Sequence, residues 1–157
     1  METKEIFMQE AIQLALDNVA LKKGGPFGAV VVKEGKIIAR GVNSVTALHD
    51  PTAHAEVMAI REACRVLNDF QLTGCEIYAS CEPCPMCLGA IYWARPAALY
   101  YAASKEDAAA IAFDDQMIYE EIARPMKERK LFTQQLLQPA ALKAFEAWKA
   151  SEEKTNY

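Results

Sequence analysis

Apolar residues follow two rhythms along this chain. From Thr3 to Leu21 the residues Ile6, Phe7, Leu14 and Val19 suit one face of a helix. The stretch KKGGP ends it, with two glycines and a proline as breakers. The runs FGAVVV and KIIARGV are rich in β-branched residues and join through Glu34-Gly35, so they read as a β-hairpin. Helical spacing returns in DPTAHAEVMAIREACRVL, where Val57, Ile60, Cys64 and Leu67 share a face. Asp50 suits the N-cap of that helix and Pro51 its first position.

The second half alternates again. CEIYAS is a short strand, PCPMCLGAIYWAR a helix opening at Pro85, and ALYYAA a buried strand. A loop carrying FDD follows, then a helix MIYEEIA, a strand LFTQQLL and a final helix ALKAFEAWKA. Strands alternating with helices predict one α/β layered domain over residues 1–157. Its mixed sheet has an antiparallel first pair and later strands joined by helical crossovers.

Composition narrows the picture. The chain has 157 residues, 52% of them apolar, enough for one domain with a sizeable core. A net charge of −4 argues against a general nucleic-acid binder, whose phosphate contacts need a basic face. The N-terminus METKEIFMQEA is charged and amphipathic, with no apolar run of a secretory leader. The apolar stretch LGAIYWARPAALYYAA is broken by Arg95-Pro96 and cannot span a bilayer. A cytoplasmic protein without membrane attachment is expected. Five cysteines in a reducing compartment point to metal or catalysis rather than disulfides.

The cysteines cluster in CEPCPMC, residues 81–87, and a second group of interest is His54-Ala55-Glu56. Both fall near predicted helix starts, where free backbone N–H groups and a partial positive charge favour thiolate over thiol. Pro85 at the first helical position puts Cys84 at the N-cap and Cys87 one turn on. Two such sulfurs can reach one ion, and His54 supplies a third ligand. Three protein ligands leave a position open, the pattern of catalytic rather than structural zinc. A carboxylate such as Glu56 beside that position can serve as general acid and base. However, residues two apart on a regular helix point to nearly opposite faces, so spacing alone does not make His54 and Glu56 converge.

Other readings of the cysteines stay open at this point. An iron–sulfur site using Cys81, Cys84 and Cys87 needs a fourth cysteine three residues on, where the chain has Ile91. A four-cysteine structural zinc would recruit Cys64 or Cys75, which fit packing positions better. A redox pair suits two overlapping, proline-threaded CxxC motifs poorly. His49 reads as a solvated loop residue.

The pair HAE … PCPMC resembles the H-x-E … P-C-x-x-C signature of zinc nucleobase deaminases. The stretches GGPFGAVVV, DPTAHAEV, SCEPCPMCLGAIYWAR and AFDD, with the terminal tyrosine, resemble the small bacterial guanine deaminases of the cytidine deaminase superfamily. The resemblance covers nearly the whole chain. It implies a three-layer α/β/α sandwich and one Zn2+ on His54, Cys84 and Cys87. It also implies a zinc-activated water, with Glu56 shuttling protons as guanine becomes xanthine and ammonia. By the same resemblance the purine pocket comprises Phe27 as a stacking face, the Asn43 amide, the Ala55 N–H and the Trp93 indole. Asp115 binds the amine side and assists proton transfer, and Tyr157 closes the site. The family's C-terminal segment crosses to a neighbouring subunit, implying a domain-swapped homodimer in which Asp115 and Tyr157 serve the partner's site. The tRNA adenosine deaminases share HAE and the cysteine motif and form the alternative, with deaminases of other amino-heterocycles such as cytosine.

Overall fold

The computed structural model describes residues 3–157. It divides into two compact units, one ending at Asp115 and the other running Gln116–Tyr157.

The first unit is built on four strands: β1 (Gly28–Lys33), β2 (Lys36–Val42), β3 (Cys75–Cys81) and β4 (Ala98–Ala103). Their order is β2-β1-β3-β4. β1 pairs antiparallel with β2 and with β3, while β3 pairs parallel with β4. The mixed sheet is therefore the one the sequence predicts. The hairpin turns through Glu34 and Gly35, both at positive φ, the conformation that a tight hairpin turn demands of its central residues.

Alternation along β1 assigns the layers. Ala29 and Val31 face a core shared with α3 (Ala55–Leu67) and α4 (Pro85–Ala94), through Ala59, Ala63, Ile91 and Ala94. Val30 and Val32 face the opposite side, where Phe7 of α1 (Thr3–Ala20) meets Tyr78. Helices thus cover both faces of one sheet, giving the α/β/α layering expected. β1 is buried along its length apart from Lys33, as a central strand must be.

The helices settle closer to the sheet than the pattern of large apolar residues suggests. On α1 the buried line is Phe7, Ala11, Ala15 and Asn18, whereas Ile6 and Val19 are exposed. On α3 the buried line is Ala55, Glu56, Ala59 and Ala63, and Ile60, Cys64 and Leu67 only flank the core. Small residues are what permit the approach. A Cβ added at Gly41 of β2 would overlap the Ala55 carbonyl oxygen and the Ala59 backbone of α3.

Two shorter helices, α2 (Val45–Leu48) and α5 (Lys105–Ala109), were not expected from the pattern. α5 opens with a capping box: Ser104 Oγ accepts from Asp107 N, and Asp107 Oδ2 accepts from Ser104 N.

The second unit contains α6 (Gln116–Ala123), a 3-10 turn (Met126–Glu128) and α7 (Gln138–Ala150). The expected strand LFTQQLL is irregular chain here. A strand requires a hydrogen-bonding neighbour, and this unit offers only helices. None of its described side chains is buried. Phe132, Leu137, Phe145 and Trp148 all stand exposed.

Candidate active site

The start of α3 differs from expectation, and the difference matters. Asp50 does not cap the helix. Its carboxylate accepts from Thr52 N at 2.8 Å and Thr52 Oγ1 at 2.6 Å, closing a turn before the helix. α3 begins at Ala55 and His54 is its N-cap, with extended backbone at φ −72 and ψ 157. His54 therefore stands outside the helical phase, and the two-residue offset to Glu56 no longer sends their side chains to opposite faces. Both turn towards α4.

α4 begins as the sequence predicts. Cys84 is the N-cap, Pro85 follows it inside the first turn, and Cys87 N donates to Cys84 Sγ at 3.5 Å. Proline there costs nothing, because that N–H lacks a helical partner anyway. The two helix starts face each other. His54 Nδ1 lies 3.6 Å from Cys84 Sγ and 3.5 Å from Cys87 Sγ. Glu56 Oε2 is 3.3 Å from Cys87 Sγ.

This spacing tests the donor set. Zinc bonds of about 2.3 Å to sulfur and about 2.0 Å to nitrogen, arranged tetrahedrally, hold the two donors roughly 3.5 Å apart. His54, Cys84 and Cys87 fit. They are also the one group of three metal-capable donors found together among the described residues. Cys81 is buried elsewhere, its Sγ donating to the Ser104 carbonyl at 3.5 Å. Cys75 is buried in the core, and Cys64 packs at its margin. The iron–sulfur and four-cysteine readings therefore fall.

The electrostatics agree with a cation site. The hydrogen bond from Cys87 is the foremost reason that Cys84 is held down to about 4, with His54 adding to it. The Cys87 thiol is pushed up, first by sharing its proton with Cys84 and then by burial. His54 is raised, chiefly by its bond to Cys84. A divalent ion displaces these protons when it binds. Burial raises Glu56 above the ordinary carboxylate value, with the Cys84 charge adding to it. That is the direction a proton-shuttling carboxylate needs.

The other expected residues come from several elements. Phe27 and Asn43 are joined backbone to backbone, Asn43 N donating to Phe27 O at 3.1 Å. Asn43 is buried, and the half-buried Phe27 ring meets Phe113 edge-on with centroids 5.0 Å apart. Ala55 opens α3, so its N–H is one of the four without an intrahelical acceptor. Asp115 is half-buried in the first unit, and its carboxyl is raised first by burial and also by the charge of Cys84. It therefore sits within electrostatic reach of the metal ligands of its own chain. Trp93 is six residues beyond Cys87 on α4, an axial rise of roughly 9 Å, and it is exposed. Tyr157 ends the second unit and is exposed.

Three residues had no role assigned from the sequence. Glu82, inside CEPC, accepts from Lys105 N at 3.1 Å and so ties the cysteine loop to α5. Phe113 stands two residues before Asp115 in AFDD, and its ring contact with Phe27 is tertiary. Asn18 continues the buried line of α1 and gives a faint local signal: an amide where an apolar residue belongs.

A helix-start histidine facing a helix-start CxxC across a mixed sheet, with a buried glutamate alongside, defines a zinc-binding deaminase fold. The family model for the cytidine and deoxycytidylate deaminase zinc-binding region matches residues 1–103, and the chain belongs to that family. It is 54% identical over 153 residues to the guanine deaminase of Bacillus subtilis, covering 98% of each chain. Its structure matches the crystal structure of that B. subtilis enzyme with a TM-score of 0.95, over 98% of both chains. A guanine deaminase from Nitrosomonas europaea matches at a TM-score of 0.66 and 36% identity, covering 69% of this chain and 63% of that one. A tRNA-specific adenosine deaminase of Aquifex aeolicus is 52% identical over 93 residues, 59% of this chain and 60% of its own.

Proposed function

We propose that this chain hydrolyses guanine to xanthine and ammonia as a step of purine catabolism in the cytoplasm. The observation that carries this reading is the extent of the likeness to the B. subtilis guanine deaminase, which runs through 98% of both chains and so takes in the C-terminal segment. The likeness to the A. aeolicus tRNA deaminase covers 59% of the chain.

His54, Cys84 and Cys87 would hold Zn2+, which as a Lewis acid makes water nucleophilic near neutral pH. Glu56 takes a proton from the attacking water and delivers it to purine N3. Once the C2–O bond has formed, it takes the second proton from the C2 hydroxyl and passes it to the departing amine, so that C2=O forms, the C2–N2 bond breaks and ammonia leaves. Its burial and raised proton affinity support both halves of the cycle. Asn43 reads the purine edge, donating and accepting through one amide. The Ala55 N–H meets the substrate at the helix start, Phe27 offers its ring face and Trp93 its indole N–H. Asp115 holds the amine side, and its closeness to Cys84 supports a role in its own chain's site.

The functional particle is a homodimer in which residues 116–157 cross to the neighbour and Tyr157 closes the neighbour's site. The second unit, with its exposed Phe132, Leu137, Phe145 and Trp148, supports a covering copy.

Ammonia release decides the substrate. Purified, zinc-loaded protein is offered guanine, adenine, adenosine, cytosine and a tRNA anticodon stem-loop. Release from guanine alone is expected. Turnover of the stem-loop with none of guanine would move the chain to the tRNA deaminases.

A further inference from the structure

Asn18 is a polar side chain where the packing of α1 calls for an apolar one. It is 2% exposed and continues the line of Phe7, Ala11 and Ala15. Its Oδ1 is buried and accepts no hydrogen bond. Leaving such an oxygen bare is unfavourable, and an apolar residue of the same size would avoid it. What the side chain does make is made by its nitrogen. Nδ2 donates to Gly25 O at 2.8 Å and to Asn43 O at 2.9 Å. Two carbonyls facing the same atom identify it as the nitrogen.

These acceptors belong to the two segments that carry the pocket. Gly25 O also accepts from Phe27 N at 2.9 Å, and Phe27 O accepts from Asn43 N at 3.1 Å. Gly24 lies so close that an added Cβ would overlap Asn43 O and come within 3.0 Å of Asn18 Nδ2. The loop before β1 and the end of β2 thus cross at one point, and a single amide holds both. Among small side chains only an amide places two donors on one atom, so no other of that size makes both bonds. The direction of the bonds excludes a carboxylate, which would set its charge against two carbonyl oxygens.

We propose that Asn18 is a positioning residue for substrate recognition. It clamps the backbone of Gly25 to that of Asn43 and so fixes the spacing between the Phe27 ring and the Asn43 amide. The role rests on the reading above, in which those two groups take the face and the edge of the purine. Among the described residues Asn18 makes its side-chain hydrogen bonds to Gly25 O and Asn43 O, not to the metal ligands or Glu56, so it acts on binding and not on proton transfer.

The test has two arms. Hydrogen exchange reads the clamp without substrate: in Asn18→Leu the N–H groups of Phe27 and Asn43 should exchange at least about tenfold faster, while those of β3 hold their rates. Steady-state kinetics read the role: KM for guanine should rise by about tenfold or more with kcat within about threefold, at one zinc per chain. Unchanged exchange overturns the clamp. Faster exchange with unchanged KM, or a fall in kcat alone, overturns the positioning role. Should Asn18→Leu fail to fold, Asn18→Ser gives the same two readings, and in the native protein both side-chain protons of Asn18 should exchange slowly. If the native protein releases no ammonia from guanine, the proposed function fails. The exchange arm still decides the clamp, and the KM arm passes to whichever amino-heterocycle is turned over.

Discussion

Glu56 and Cys81 show how one residue's neighbours settle its role. Glu56 sits 3.3 Å from Cys87 Sγ and is buried, yet it is not one of the three donors that come together. Replacing it with alanine should cut turnover by roughly 10²–10⁴-fold, the usual contribution of a general acid–base group, while zinc content stays at one per chain. Loss of metal together with activity would instead make it a ligand. Cys81 makes the opposite point. It shares the motif, but burial pushes its thiol up to about 11 and its sulfur points to Ser104 O. Cys81→Ser should leave zinc stoichiometry intact, whereas Cys84→Ser or Cys87→Ser should lose the ion, as metal analysis after dialysis would show.

At the scale of elements, the site depends on how closely α3 approaches β2. Gly41 has no side chain, and a Cβ there would overlap the Ala55 carbonyl, one residue beyond the His54 cap. Gly41→Ala should destabilise the fold by about 1–3 kcal/mol, as overpacking commonly does, with the loss read from urea unfolding. It should also weaken zinc binding, because the α3 start shifts relative to the cysteines. The α5 cap responds to acid. Hydrogen bonds from Ser104 lower the Asp107 carboxyl below its ordinary value of 3.8. A depressed native value stabilises above the unfolded one and loses that support as pH falls through the native one. Helix α5 should therefore loosen only below pH 3.8, and Asp107→Asn should remove the pH dependence in an acid titration of local exchange.

For the whole molecule the question is what covers residues 116–157. Their exposed large apolar side chains mark an interaction surface, and the proposed occupant is a second copy of the chain. Sedimentation should give twice the mass of one chain. A complementation experiment tests the crossing. Chains lacking residues 151–157 and chains carrying Glu56→Ala should each be inactive. Co-refolded at random, half the dimers are mixed and each has one complete site, so about a quarter of the native activity should return. No recovery would place Tyr157 in its own chain's site.

By itself the sequence determined what rests on neighbouring residues. The proline after Cys84 sets a helix start, a helix start favours thiolate, and Cys84 and Cys87 fall one turn apart. The hairpin at Glu34-Gly35 is equally local. Together with His54 these pointed to the metal donors, and the resemblance to the zinc deaminases chose among the readings left open. Tertiary structure decided whatever needs a distant partner. Asp50 had the chemistry of an N-cap, but Pro51-Thr52 drew its carboxylate into a turn, which moved the helix start to His54 and let Glu56 converge. LFTQQLL had strand-forming residues and no neighbouring strand to bond. Alanines lined α3 because Gly41 lets it press against the sheet, so the longest apolar side chains were not the deepest ones. The role of Asn18 was hidden for the same reason: the two carbonyls that explain it are 7 and 25 residues away, and only folding brings them to one nitrogen.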